Sequence, residues 1–204
     1  MYCRRELLRP SSVGLRTLSG IFFAAAVMVI MSGPRAPAGT APVTVGGPFM
    51  LTASDGTTVT DRTYRGKWLL VFFGYTSCPG ICPTTLNEIA TALEKLGPDA
   101  EKLEPLFITV DPDRDTPEIM KRYTAAFDAR IVGLTGSRRQ IAAVAEHYGA
   151  YGAAHRRKAG TLDYLVDHST YIYLMDPQGK FVRGLDAETP GDRIADTVRK
   201  IMAQ

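Results

Sequence analysis

The segment WLLVFFGYTSCPGICPTTLNEIATALEKLG, Trp68 to Gly97, changes its hydrophobic period partway along. It opens with a continuous apolar run, Trp68–Phe73, rich in aromatic and branched side chains and suited to a strand buried on both faces. After Pro83 the apolar positions Leu86, Ile89, Ala90, Leu93 and Leu96 recur at helical spacing, and Gly97-Pro98 ends the pattern. Between strand and helix lies a short turn holding Cys78 and Cys82 in a C-x₃-C arrangement. A buried strand running straight into a helix is the first half of a parallel βαβ unit.

Working outward, PFMLTASDGTTVTD predicts two short strands around an Asp55-Gly56 hairpin turn. PLFITVD is a second buried strand, and DPDRDTPEIMKRYTAAF begins a helix with Asp115 or Thr116 as N-cap and Pro117 in the first turn. IVGLTG is a short strand, and SRRQIAAVAEHYGAY is an amphipathic helix capped by Ser137. AAHRRKAGTLDYLVDH reads as a polar loop leading to a hairpin, STYIYLMDPQGKFVRGL, that turns at Asp176–Gly179; TPGDRIADTVRKIMAQ closes the chain as a helix. This order predicts an α/β domain with a thioredoxin-like fold: an N-terminal β-hairpin and a central mixed sheet flanked by helices. The first βα turn then lies at the carboxyl end of the strands, where open α/β sheets carry their chemistry.

The chain has 204 residues, 45% hydrophobic and 22% charged, with a formal net charge of +3. No long basic run marks a nucleic-acid site, so nucleic acid is not an expected partner. The first forty residues differ from the rest. Arg4, Arg5, Arg9 and Arg16, opposed only by Glu6, precede LSGIFFAAAVMVIMSG, a pattern of export. Residues 1–40 are expected to form a membrane anchor or signal segment, with an A-x-A site at Ala36–Ala38 and a proline-rich linker, and 41–204 the folded domain. A mitochondrial presequence is the competing reading.

Cys3 precedes the apolar run without a lipobox, which leaves Cys78 and Cys82 as the cysteines of the exported domain. A disulfide-stapled scaffold or a structural zinc site would need more ligands. Pro83 at the first helical position would make Cys82 the N-cap, and Pro79-Gly80 would fold Cys78 back toward it. Both sulfurs would then face free amides at the positive helix end, which lowers thiol pKa. Three uses compete. A redox C-x-x-C has two intervening residues, and three do not forbid a disulfide. An inert staple would close only one short loop and stabilise little. As a metal claw, two thiolates favour Cu(I), zinc or an iron–sulfur centre and need a further ligand.

Of the three histidines, His147 lies on an amphipathic helix and His155 in the basic AHRRK loop, and both read as surface residues. His168 sits at the entrance to a predicted strand, where thioredoxin-like oxidoreductases place a cis-proline; no proline lies between Pro117 and Pro177. Two sulfurs and one imidazole suit Cu(I) and accept Cu(II) with distortion, while Cys₂His zinc with an open position is the alternative. Asp163 and Asp167 are candidates to orient His168 through its second ring nitrogen. The carboxylates of DPDRDT could suggest a hard-cation site, but helix capping explains them. Arg156, Arg157 and Lys158 read as a solvated loop, with docking to an acidic partner as the minority reading.

GYTSCPGICP, TVDPDRDTP, VGLTG and DYLVDHSTYIYLMDPQGKF, in this order and spacing, resemble the Sco/SenC family of membrane-tethered copper chaperones of cytochrome c oxidase assembly. The likeness covers Pro48 to Gln204. It implies a thioredoxin-like fold, one copper per domain as Cu(I) and/or Cu(II), and Cys78, Cys82 and His168 at the family's copper ligands. It implies cytochrome c oxidase subunit II as partner through its binuclear copper site, with another copper chaperone as candidate donor. The alternative activity is that of a thiol-disulfide oxidoreductase in which Cys78 and Cys82 cycle. The implied location is the bacterial cytoplasmic membrane with the domain facing the periplasm, or else the mitochondrial inner membrane facing the intermembrane space. Two positions depart from the family's frequent pattern: Ser77 stands where a histidine is common, and Gly80 where an aspartate is common.

Overall fold

Asp55 accepts from the amide and hydroxyl of Thr57, and Gly56 takes φ 88°, which reverses the chain between β1 (Met50–Ala53) and β2 (Thr58–Thr60). The computed structural model describes residues 45–156 and 164–204. After a 3₁₀ turn, Asp61–Tyr64, the apolar run forms β3 (Trp68–Gly74) and passes into α1 (Ile81–Leu96). β4 (Leu103–Thr109), α2 (Pro117–Ala125), β5 (Val132–Thr135) and α3 (Arg138–Tyr148) follow in the expected order. Next come β6 (Gly152–Arg156), β7 (Tyr164–His168), β8 (Tyr171–Met175), β9 (Phe181–Asp186) and α4 (Gly191–Met202).

Seven strands form one mixed sheet in the order β2-β1-β5-β4-β3-β8-β9. The β3–β4 and β4–β5 pairs are parallel, while β1 on β5, β8 on β3 and β9 on β8 are antiparallel. Alternation along β3 divides the core. Leu70 and Phe72 pack with Leu86, Ile89 and Leu93 of α1, Met120 of α2 and Ile194 and Val198 of α4. Leu69, Val71 and Phe73 pack with Ile141, Val144 and Tyr148 of α3 on the other face. Each of these large side chains, once fully buried, contributes roughly 1.5–3 kcal/mol relative to exposure. This is the thioredoxin-like arrangement expected, with helices on both faces and the cysteine turn at the carboxyl ends of the parallel strands.

Three local expectations change. α1 begins at Ile81 with Gly80 as N-cap, so Cys82 lies inside the first turn and Pro83 third in the helix. Proline is tolerated throughout a first turn because none of those amides has an intrahelical acceptor, so Pro83 alone does not fix the start. Thr116, not Asp115, caps α2, its hydroxyl accepting from the Ile119 amide. The segment read as a polar loop contains a separate two-stranded hairpin, β6 against β7, that pairs Gly152 with His168. The Ser137 cap of α3 is present as a capping box with Gln140. Residues 1–40 and Asp163 lie outside the described residues, as does the side chain of His155. Among the described residues no helix is long and apolar enough to cross a membrane.

Candidate metal centre

β3 ends at Gly74, and a turn closed by the Cys78 amide donating to the Tyr75 carbonyl (3.2 Å) carries Cys78 out beside the helix start. Cys82, in the first turn of α1, is fully buried. Its sulfur rests against Gly74, where a β-carbon would stand only 2.6 Å from Cys82 Sγ and 2.7 Å from the Phe107 ring. Glycine here therefore supplies the space that the sulfur occupies. Cys78 is half-buried, and its neighbours Ser77, Pro79 and Gly80 are exposed.

The third member arrives from β7. His168 is 7% exposed and lies edge-on to the rings of Phe72 and Tyr75, at centroid distances of 6.2 and 5.7 Å. Tyr75 also accepts the Val166 amide on its hydroxyl at 3.2 Å, fastening β7 to the end of β3. His168 Nδ1 lies 2.9 Å from the Ser169 carbonyl oxygen. A carbonyl only accepts, so Nδ1 carries the hydrogen and the lone pair of the neutral ring is left on Nε2. That atom faces the sulfurs, 3.3 Å from Cys82 Sγ and 4.0 Å from Cys78 Sγ. All three donor atoms lie within 4.8 Å of one another. With metal–sulfur and metal–nitrogen bonds of about 2.3 and 2.0 Å, a three-coordinate ion needs donor separations of roughly 3.7–4.0 Å. The donors thus need to shift by only a few tenths of an ångström to about 1 Å to hold one soft ion.

The two thiols are electrostatically unlike, contrary to the expectation that the helix end would lower both. Cys78 accepts from the Cys82 thiol, and with His168 and the amides of Gly80 and Cys82 this outweighs burial and pulls its pKa down. Cys82 is the donor in that hydrogen bond and is buried, and both effects push its pKa up. Cys78 is the sulfur favoured as thiolate and Cys82 the one favoured to keep its proton, and the pair titrates as a unit. Burial depresses the His168 pKa, but the Cys78 hydrogen bond, the Ser169 carbonyl and the charges of Cys78 and Asp167 raise it overall.

Other expected residues lie elsewhere or act differently. Asp167 is exposed on the opposite side of β7 from His168, and the position at Nδ1 expected for a carboxylate is taken by the Ser169 carbonyl. His147 is half-buried on α3 with its Nδ1 2.9 Å from the Pro48 carbonyl, and among the described residues it is not one of the three convergent donors. Within DPDRDT, Asp113 pairs with Arg138 and Asp111 with Arg114, while Asp115 is wholly buried and accepts from Thr76 and Thr109. The carboxylates thus turn to separate partners. The sequence alone does not mark Tyr75, Phe72 or Ser169 for the roles they take here. An aromatic at the end of a buried strand and a backbone carbonyl leave no mark that distinguishes them from ordinary core.

A family model described as SCO1/SenC matches residues 37–203. Protein SenC of Rhodobacter capsulatus is 40% identical over 164 residues, covering 80% of this chain and 73% of that protein. The mitochondrial SCO2 of Saccharomyces cerevisiae is 38% identical over 162 residues and 77% of this chain. The chain spans about half the length of the yeast and Arabidopsis thaliana relatives it matches, 54% and 48% respectively. Among solved structures, Bradyrhizobium japonicum ScoI with copper bound is 44% identical with a TM-score of 0.71, covering 76% of this chain and 98% of that one. Yeast Sco1 with copper bound is 35% identical with a TM-score of 0.74, covering 79% and 90%.

Proposed function

This chain belongs to the SCO1/SenC family, and on that premise we propose that it is a membrane-tethered metallochaperone that binds one copper ion through Cys78, Cys82 and His168. Its recipient is the binuclear copper site of cytochrome c oxidase subunit II, and its donor another copper chaperone. The observation that carries this reading is the convergence of two sulfurs with the lone pair of a tautomer-fixed imidazole. Cu(I) prefers soft, low-coordinate donor sets of this kind. Binding requires Cys82 to give up its proton and His168 Nε2 to present its lone pair, so Cu(I) uptake releases protons. Release runs by ligand exchange: an incoming thiolate of the acceptor bonds to the ion, Cys78 departs first because it is the half-exposed ligand, and Cys82 recovers a proton. The likeness to bacterial SenC and to mitochondrial Sco proteins supports a membrane setting, taken here as the bacterial cytoplasmic membrane with the domain in the periplasm; the mitochondrial inner membrane facing the intermembrane space is the alternative.

Anaerobic titration of the reduced domain with Cu(I) tests the reading. Saturation at one equivalent is expected, with affinity lowered at least tenfold in His168→Ala. Wild-type affinity in that variant removes His168 from the site.

A second reading draws on the thiol asymmetry. A half-exposed thiolate beside a buried protonated thiol is the pairing a disulfide reductase uses. Cys78 would attack a substrate disulfide, expelling one thiolate. Cys82 would then lose its proton, attack Cys78 and release the second. Cys82→Ser should trap the mixed disulfide on Cys78; recovery of no substrate conjugate counts against this activity.

A further inference from the structure

Helix capping does not account for DPDRDT, because Thr116 performs the capping and Asp115 beside it is wholly buried. A carboxylate out of water is costly unless its oxygens are filled with donors. Asp115 receives three. Thr109 Oγ1 donates at 2.6 Å, Thr76 Oγ1 at 2.5 Å and the Thr76 amide at 3.1 Å. The main chain of Asp115 is held as well, its carbonyl accepting from Thr135 Oγ1 at 2.7 Å and its amide donating to the Asp111 carbonyl at 3.1 Å. The residue is thus fixed to the ends of β4 and β5 and reaches across 39 positions of sequence to a single residue of the cysteine turn.

That residue is the second of the Tyr75–Cys78 turn. The other two donor atoms of the metal centre are secured without it: Cys82 by the buried first turn of α1, and His168 by β7, the Ser169 carbonyl and two aromatic rings. The arm carrying Cys78 is closed by the 3.2 Å bond from the Cys78 amide to the Tyr75 carbonyl, its sulfur accepts from the Gly80 and Cys82 amides, and Ser77, Pro79 and Gly80 around it are exposed. Thr76 adds a side-chain tie from that arm to a buried carboxylate. We infer that Asp115 is a positioning residue of the metal centre: through Thr76 it fixes the arm bearing Cys78 at the separation from Cys82 and His168 that one metal ion requires. The inference rests on the metal-centre reading above and extends it to a carboxylate that touches none of the three ligands.

Three variants and two readouts test it. Thr76→Val removes the hydroxyl and keeps the side-chain volume, Thr76→Ser keeps the hydroxyl, and Asp115→Asn removes the charge. Cu(I) affinity is measured anaerobically against a chromophoric chelator. The reduction potential of the cysteine pair is measured by equilibration with dithiothreitol; the two thiols give two electrons and two protons to oxidised dithiothreitol and form one S–S bond. Thr76→Val and Asp115→Asn are expected to weaken Cu(I) binding about tenfold or more, as loss of a group orienting a ligand does. They are also expected to lower the disulfide equilibrium constant about tenfold, a rise of about 30 mV. Thr76→Ser should stay within about twofold of wild type on both. A folded Thr76→Val with wild-type affinity and potential overturns the inference, and it decides the matter even where Asp115→Asn fails to fold. A wild-type domain that takes up no Cu(I) refutes the copper reading instead, and the potential alone then decides for or against the positioning role.

Discussion

Gly74→Ala adds one methyl group at the wall of the metal centre, and the structure specifies what that methyl meets. Its carbon would lie 2.6 Å from Cys82 Sγ, 2.7 Å from Phe107 Cε2 and 3.2 Å from Phe107 Cζ. Ordinary contact between such atoms is about 3.5–4.0 Å, so the overlap amounts to roughly 1 Å. Phe107 is completely buried and packed between Phe72 and Tyr123, which leaves little room for it to withdraw. The sulfur is the atom that must yield. Overpacking of this kind costs about 1–3 kcal/mol, which for a domain of this size lowers Tm by roughly 3–10 °C. A displacement near 1 Å exceeds the tolerance of about 0.5 Å for a preorganised site, so Cu(I) affinity should fall at least tenfold. The assay pairs thermal unfolding of the apo domain with Cu(I) competition, and Gly80→Ala serves as control because a β-carbon there meets nothing within 4 Å. A folded Gly74→Ala that keeps wild-type Tm and wild-type affinity would show that Cys82 is not seated on this glycine and would refute the packing argument.

Gly80→Asp places a carboxylate at the N-cap of α1 without steric cost. With Pro83 third in the helix, the Cys82 amide is the donor within its reach, and that amide also serves Cys78. The variant should gain about 0.5–1 kcal/mol of stability and raise the pH midpoint of Cys78 ionisation, followed through thiolate absorbance; an unmoved midpoint would show that the amide is not shared. The pH dependence of apo stability is also fixed in sign. A depressed folded pKa at Cys78 adds stability that is full above the unfolded thiol pKa and is lost as pH falls through the folded value, so its contribution climbs with pH toward about 9. The raised pKa of Cys82 acts oppositely, its contribution being full below the unfolded thiol pKa and fading as pH rises beyond it. Urea unfolding across this range should show the rising limb in wild type and its loss in Cys78→Ser; equal slopes in the two would contradict the assignment of the thiolate to Cys78.

Much of the framework was readable because it is written in short-range patterns. The Asp55-Gly56 reversal, the Ser137 cap and the switch of period after the cysteine turn each depend on residues within one or two turns of chain. His168 could be singled out from its place before a buried strand, and the structure brings it to the cysteines. What escaped depends on distant contacts. Gly152–Arg156 shows no apolar alternation, and it becomes a strand through pairing with the segment that ends at His168. Pro83 fits several positions of a first turn, so its presence places the start of α1 two residues late, and with it the environment of Cys82. Asp115 reads as a cap in the sequence because its burial depends on Thr76, on a different strand-end. The opposite shifts of two cysteines in one motif arise from which of them the helix swallows, and spacing alone does not encode that.

The hydrogen bond between His168 Nδ1 and the Ser169 carbonyl also bears on how the site withstands mutation. Had a carboxylate held that nitrogen, one nucleotide change could delete the acceptor and release the ring to its other tautomer. Every amino acid at position 169 brings a carbonyl with it, so no codon removes this one; a substitution there can only shift it. The proton state on which the lone pair of Nε2 depends is therefore insured by the polymer itself, and genetic drift at position 169 is filtered by backbone geometry, with the chemistry of the side chain left to its other contacts.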